Sequence, residues 1–139
     1  MRDGQVGEDE IHVPINVDQD IVTARQKGRT LAIALGFSLG DATLIATAIS
    51  ELARNIVTYA QCGEVRITVI RSSTRTGIQL VAHDTGPGIA DISQALRDGF
   101  STSGSLGLGL PGVKRLVDDF ECISEVNKGT TVIARKWKF

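Results

Sequence analysis

The chain has 139 residues, of which 42% are hydrophobic and 22% are charged, and its formal net charge is −1 at pH 7. This length is most simply one domain, which can bury roughly 68–70% of the surface that its unfolded chain exposes. The near-zero charge argues against a binder of nucleic acid or anionic membranes, and no apolar run approaches the ~20 residues of a membrane-spanning helix.

The two cysteines and the first residues of the chain indicate its cellular compartment and the limits of its domain. Cys62 and Cys122 stand without a second pair or clustered histidines, so neither a zinc site nor a disulfide framework is predicted. No N-terminal signal pattern is present, and a cytoplasmic location with reduced thiols is expected. Residues 1–10 are polar and acidic, so we expect a flexible start followed by a single domain over 11–139.

The first predicted elements are a strand and a helix. Residues 11–17 favour a strand, and Pro14 within it indicates the edge of a sheet. Asp18 is then the predicted N-cap of a helix that runs to about Leu35, with Gly36 as its stop.

A second helix follows at once, because Ser38 and Asp41 can both cap it. Apolar residues three or four positions apart predict its buried side. They are Ile45, Ile49, Leu52 and Ile56. The pattern indicates a helix of roughly five turns, ended by Gly63.

The rest of the chain predicts two hairpins and a short helix. Residues 64–70 and 78–84 alternate polar and apolar side chains around the turn sequence SSTRTG. A helix over about 110–118 precedes a second pair of strands, 120–126 and 130–138, joined around NKG. This order predicts an α+β fold, a two-layer α/β sandwich with one mixed, mostly antiparallel sheet and its helices on one face.

Glu51 and Asn55 are the first candidate functional residues. They lie four positions apart on the second helix, so their side chains share one face at the border of the buried stripe. A glutamate is a candidate general base, and an amide oxygen suits a hard cation such as Mg²⁺. An ordinary solvated helix face explains the same pair.

The sequence HDTGPGI, at the end of an apolar strand, holds the second candidate. Asp84 would emerge where the chain turns, and Gly86 and Gly88 would let the backbone approach a ligand closely. A buried carboxylate there could accept a hydrogen bond from an exocyclic amine such as that of adenine. The alternative is a Pro-Gly turn with an Asx cap.

The third candidate is the uncharged, glycine-rich sequence GFSTSGSLGLGLPG, whose end matches the spacing G-x-G-x-x-G. A dinucleotide fingerprint must follow a strand immediately, which this sequence does not, and no G-K-[ST] follows as a Walker A loop requires. What remains is an anion cradle: backbone N–H groups that lead into a helix with Pro111 near its first position.

Thr130 opens the last predicted strand and is the fourth candidate. Its hydroxyl could join Asp84 across the sheet. The alternative is a threonine chosen only for its β-propensity.

In this order the four sequences resemble the motifs of the GHKL (Bergerat-fold) ATPases. ELARN resembles that family's N box, DTGPGI its first glycine box, GSLGLGL its second, and GTTV its terminal threonine motif. The resemblance covers the chain beyond its first ten residues. The longer sequences ISELARNI and DGFSTSGSLGLGLPGVKRLVDDF are similar to the small serine/threonine kinases of bacterial partner-switching (stressosome) pathways.

The resemblance implies a site for ATP or ADP with Mg²⁺. Asp84 would bind the adenine amino group, supported by Thr130 through water, while Asn55 would be the metal ligand and Glu51 the general base. Gly86 and Gly88 would admit the nucleotide. The lid over its phosphates would comprise Gly104, Ser105, Leu106, Gly107, Leu108 and Gly109.

The implied activity is Mg²⁺-dependent transfer of phosphate from ATP to a serine or threonine of a STAS-domain antagonist or scaffold protein. The released kinase would then activate a PP2C-type phosphatase in stress, sigma-factor or second-messenger signalling. Two alternatives are a nucleotide-gated binding module and an anti-sigma-factor kinase that sequesters a sigma factor.

One departure from the family pattern concerns charge. Related anti-sigma kinases usually have an arginine just before the second glycine box, where this chain has Ser105. Because phosphoryl transfer depends on cations that neutralise the phosphates, another group must stabilise the γ-phosphate. Lys114 and Arg115 are the nearby candidates.

Overall fold

The computed structural model describes residues 10–87 and 109–138. Its strands are β1 (Glu10–Ile15), β2 (Gly63–Arg71), β3 (Thr76–Asp84), β4 (Asp119–Glu125) and β5 (Gly129–Lys138). Its helices are α1 (Asp18–Ala34), α2 (Leu39–Asn55) and α3 (Gly109–Leu116), with a π-helical turn at Ile56–Ala60 directly after α2. The predicted strands and helices therefore exist, with most ends displaced by one or two residues.

The five strands form one sheet in the order β1-β2-β3-β5-β4. All four pairings are antiparallel, so within the described strands the expected mixed character reduces to an antiparallel sheet. β1 lies at the edge, as Pro14 predicted. A proline is tolerated there because an edge strand need not use every N–H group in a ladder.

Capping accounts for the starts of the two long helices. Val17, rather than the predicted Asp18, is the N-cap of α1. The capping carboxylate belongs to Asp20, whose Oδ2 accepts the N–H groups of Asn16 at 2.8 Å and Val17 at 3.1 Å. At α2 the predicted cap is confirmed, since Ser38 Oγ accepts the N–H of Asp41 at 3.0 Å.

The predicted buried stripe of α2 forms the centre of the core. Its four isoleucine and leucine residues are at most 2% exposed. The side of the sheet that faces the helices supplies the opposite wall: Val65, Ile67, Ile78, Leu80, Val132 and Ala134. Among the helices of the described ranges, none is long and apolar enough to cross a membrane.

The end of α2 differs from the prediction that this helix continues to Gly63. The regular helix ends at Asn55, and the next turn widens, so that Gln61 N–H bonds to the carbonyl of Ile56 at 2.8 Å. Gln61 has a φ of 73°, which a helix cannot continue. The π-helical turn therefore leads to the end of the sheet at which β2 begins and β3 ends.

Candidate functional site

A row of polar side chains crosses one end of the sheet. Asp84 of β3 is the register partner of Thr130 of β5, which is in turn the partner of Ser124 of β4. Side chains alternate between the two sides of a strand, so all three share the helix-facing side with the core residues Ala82 and Val132. The row thus places half-buried polar groups at the end of an apolar face.

The carboxylate of Asp84 is oriented by the backbone that follows it. Its Oδ1 accepts the N–H of Gly86 at 2.9 Å, which is the geometry of an Asx turn. Within the residues that the structure describes, no hydrogen bond reaches Oδ2. The turn interpretation and the ligand interpretation are therefore compatible, because one oxygen caps the turn while the other remains an acceptor.

The turn after Asp84 is held from two sides. A Cβ on Gly86 would lie 2.6 Å from the Cβ of Ala60, so only glycine lets this turn pack against the π-helical turn. On the other side, Asn127 N–H donates to the carbonyl of Pro87 at 2.7 Å. Gly129, at φ 110°, lies so close to the backbone of this turn that a Cβ on it would be 2.7 Å from the Cα of Thr85.

Ser124 and Cys122 belong to the same end of the sheet, and sequence reasoning missed both. Ser124 Oγ lies 2.8 Å from Thr130 Oγ1 and donates to the carbonyl of Gly129 at 3.1 Å. Burial raises the pKa of the Cys122 thiol, and the negative charge of Asp84 raises it further. The available signal was alternation along β4, which places both residues on the side of Thr130 once the register is known.

Glu51 and Asn55 form the second part of the site. Both are half-buried, whereas Leu52 and Ile56 beside them are buried, so the pair lies at the border of the buried stripe as predicted. Asn55 is the last residue of α2, and the π-helical turn that follows contacts β3. Among the described residues, no hydrogen bond joins this pair to the Asp84–Thr130 row.

Helix α3 carries the end of the glycine-rich sequence. Its first half is buried and packs against α2, with Pro111 in its first turn as expected. Lys114 and Arg115 are exposed in its last turn, about 7.5 and about 9 Å along the axis from Gly109 at ~1.5 Å per residue. Other predicted site residues lie outside the described ranges: Gly88, Gly104, Ser105, Leu106, Gly107 and Leu108.

The residues described here include no group of three or more His, Cys, Asp or Glu side chains that could hold a metal ion. A separate concave surface of about 400 Å³ lies at the opposite end of the sheet. It is lined by the β2–β3 turn together with Arg71, Arg75 and Lys138.

Comparison with known sequences gives matches over most of the chain. Residues 40–138 match the family described as histidine kinase-, DNA gyrase B-, and HSP90-like ATPase. The chain is 50% identical over 129 residues to the serine/threonine-protein kinase RsbT of Bacillus subtilis (strain 168), covering 93% of this chain and 97% of that protein. It is 34% identical over 103 residues to an anti-sigma F factor of Geobacillus stearothermophilus, covering 69% of each.

Solved structures with low sequence identity share the fold. The RsbU and RsbW domains of Rv1364c from Mycobacterium tuberculosis match with a TM-score of 0.64 and 17% identity, covering 91% of this chain and 32% of that one. The catalytic domain of the histidine kinase ThkA matches with a TM-score of 0.53 and 17% identity, covering 92% of this chain and 96% of that one. The α+β architecture is therefore shared with the catalytic domain of a histidine kinase.

Proposed function

Because this chain belongs to the family of histidine kinase-, DNA gyrase B-, and HSP90-like ATPases, we propose that it transfers phosphate from ATP to a serine or threonine of a STAS-domain protein. The family match and the 50% identity to a serine/threonine-protein kinase show the broader class of activity. The chain is a protein kinase. The proposal concerns its substrate, its partners and the residues that perform the reaction.

The observation that carries the nucleotide assignment is the register pair of Asp84 and Thr130. The oriented carboxylate of Asp84 would accept a hydrogen bond from the 6-amino group of adenine, and Thr130 would support the base through a water molecule. Gly86 would admit the base, since the chain there has no side chain and is held against Ala60. Gly88 and the lid of residues 104–109 complete the proposed binding site for ATP or ADP.

Asn55 is the proposed ligand of Mg²⁺. The residues present fit this ion, because Mg²⁺ usually takes only one or two protein ligands and shares the rest of its shell between water and phosphates. The half-buried amide of Asn55, at the end of α2, can supply one oxygen without a dedicated cage. When bound, the ion neutralises charge on the phosphates.

Glu51 is the proposed general base. It lies about one turn before Asn55 on the same face of α2, at the border between core and solvent. A carboxylate in that position could accept the proton of the substrate hydroxyl as it attacks the γ-phosphorus. Exposed Lys114 and Arg115 remain the proposed sources of positive charge for the γ-phosphate.

Phosphoryl transfer tests this function directly. Labelled ATP and a purified STAS-domain protein are incubated with the kinase, and label on serine or threonine is measured. We expect Asn55→Ala to abolish transfer, whereas Thr43→Ala, at the exposed N-terminal part of the same helix, retains it. Normal transfer by a folded Asn55→Ala protein would exclude the metal assignment.

A second candidate function is sequestration of a sigma factor, or nucleotide-gated docking on a PP2C-type phosphatase. The matches to anti-sigma F factors favour sequestration. The same assay separates the two candidates, because binding of a partner without transfer of label would support the docking function alone.

A further inference from the structure

The concave surface at the Thr76 end of the sheet is lined by side chains that can donate to an anion. Its charged residues are Arg71, Arg75 and Lys138, and the others that the structure describes are hydroxyl residues: Ser72, Ser73, Thr74 and Thr76. None of these described lining residues carries a carboxylate, although the chain as a whole has a net charge of −1. We call this surface the cationic cleft, and its composition favours a negatively charged occupant.

The strand register brings two of the cations of the cleft together. Thr76 of β3 is the partner of Arg71 on β2 and of Lys138 on β5. The Cα atoms of Arg71 and Lys138 are therefore about 10 Å apart, two strand spacings of ~4.8 Å. The Nζ of Lys138 lies beside the end of α1, 3.0 Å from the position that a Cβ on Gly36 would take. Both cations are exposed, on the side of the sheet that faces the helices.

Arg75, the third cation of the cleft, is held in place by its surroundings. Its guanidinium lies 4.2 Å from the centre of the Trp137 ring, whose Nε1 donates to Asp119 at 3.0 Å. The Oγ of Ser72 accepts the N–H of Arg75 at 3.1 Å and so fixes the turn. Stacking uses the face of a guanidinium and leaves the N–H groups in its plane able to donate, so Arg75 is oriented before an anion binds.

The exposure of the cleft determines what kind of anion it can hold. A single small anion binds weakly to exposed cations, because water and salt screen each ion pair. A chain segment with several carboxylates binds more tightly, because its ion pairs form together. In an extended segment every second side chain lies on one face, about 6.8 Å apart at ~3.4 Å per residue. Long, flexible cationic side chains on Cα atoms about 10 Å apart can meet that spacing.

We propose that the cationic cleft is a docking site for an extended acidic segment of a protein partner, whose carboxylates bind Arg71, Arg75 and Lys138. A second surface for proteins suits this chain, because a protein kinase must hold a protein substrate as well as its nucleotide. The inference goes beyond the proposed function and uses none of its nucleotide-binding residues. The cleft lies at the far end of β3 from Asp84, so an occupant there leaves the proposed ATP site open.

A labelled acidic peptide tests this docking site. The probe is a rhodamine-labelled synthetic peptide in which glutamate and serine alternate, and its control has glutamine in place of every glutamate. Dissociation constants for the full chain are measured by fluorescence anisotropy. We expect only the glutamate peptide to bind, and Arg71→Gln with Lys138→Gln to weaken its binding about tenfold, the combined effect of two exposed ion pairs. Raising sodium chloride from about 20 to about 200 mM should weaken the wild-type complex strongly.

A matched variant separates docking in the cleft from attraction by net charge. Lys27→Gln with Arg29→Gln removes the same two charges from exposed positions on α1 and should leave the affinity for the glutamate peptide unchanged. An equal loss of affinity in this variant would overturn the proposal. Equal binding of the glutamine peptide, or binding that salt does not weaken, would overturn it as well.

The single variants separate docking from a purely structural role of these cations. A cation beside the end of α1 stabilises that helix, so Lys138→Gln should slightly lower the melting temperature as well as weaken peptide binding. Unchanged peptide affinity in both Arg71→Gln and Lys138→Gln would assign the two cations to the fold alone and overturn the proposal. The affinity for ADP, measured by calorimetry, should stay that of the wild type, and its loss together with peptide binding would show a general disturbance instead. The single variants also give the result if the double variant is unfolded.

Discussion

The two ends of the sheet use polar residues in different ways. Asp84 and Thr76 are the last and first residues of β3, about 27 Å apart at ~3.4 Å per residue. At the Asp84 end the polar groups are a half-buried carboxylate and two half-buried hydroxyls in one cross-strand row, next to closely packed main chain. At the Thr76 end they are cations and hydroxyls around a solvated turn.

At the second end, residues of the turn bond to one another and contact the end of β5. Ser72 Oγ accepts the N–H of Arg75 at 3.1 Å within the turn, and the Arg75 guanidinium lies 4.2 Å from the centre of the Trp137 ring. The Trp137 ring is in turn fixed by a hydrogen bond from its Nε1 to Asp119 at 3.0 Å. More charge is present here than beside Asp84, yet the half-buried polar groups at the Asp84 end are the better indicator of a ligand, because water satisfies them less fully.

The largest loss of stability is expected when a methyl group is added to the main chain near Asp84. Gly129→Ala places a side chain against Thr85 at a φ of 110°, and we expect it to lower the free energy of unfolding by about 2–4 kcal/mol. Gly40→Ala is the matched control, because its nearest neighbour would be Ser38 Oγ at 3.9 Å and helix α2 favours alanine. Urea denaturation measures both, and equal stabilities would show that the packing beside Asp84 is loose.

An intermediate effect is expected at the other end of the sheet. Arg75→Ala removes the contact with Trp137 and should lower the free energy of unfolding by about 0.5–1 kcal/mol. Its affinity for ADP, measured by calorimetry, should equal that of the wild type, in contrast to Asp84→Asn. A loss of ADP affinity in Arg75→Ala would mean that the two ends are coupled.

The smallest effect concerns the reactivity of the two thiols. Burial and the charge of Asp84 hold the pKa of Cys122 above its usual value, so less thiolate forms there and its reaction with a disulfide reagent should be slow. Cys62, which is exposed, is the internal control and should react first. Because the raised pKa delays ionisation, the rate at Cys122 should rise only at higher pH, and Asp84→Asn should shift that rise downward.

Equal rates of reaction of Cys62 and Cys122 with the disulfide reagent at every pH would contradict the burial of the thiol beside Asp84. The measurement is a time course of reagent release with single-cysteine variants, Cys62→Ala and Cys122→Ala. Addition of ADP offers a further comparison, since a base bound beside Asp84 should slow only Cys122.

Much of the fold could be predicted because its signals are local. Alternation along residues 64–70 and 78–84 located two strands, and the turn sequences between strands located both hairpins. Pro14 correctly predicted an edge strand. The errors also have local causes: Asp20 rather than Asp18 caps α1, and the π-helical turn after Asn55 has no periodic pattern of its own.

The candidate site was predictable residue by residue but not as an arrangement. Glu51, Asn55, Asp84 and Thr130 were selected from their neighbours in the chain, and their roles in binding and catalysis stay predictions. Nothing in the sequence around Ser124 distinguishes it from any other serine in a strand. Only the pairing of β4 with β5 brings its hydroxyl to Thr130.

The sequence by itself determined the elements, the buried stripe of α2 and the residue types available for chemistry, because capping, periodicity and turn preferences act over a few residues. The tertiary structure alone decided the register that sets Asp84 opposite Thr130, the packing of Gly86 on Ala60, and the contact between the hydroxyls of Ser124 and Thr130. These features join residues far apart in the chain, and their hydrogen bonds form only where strand pairing and core packing bring donor and acceptor within about 3 Å.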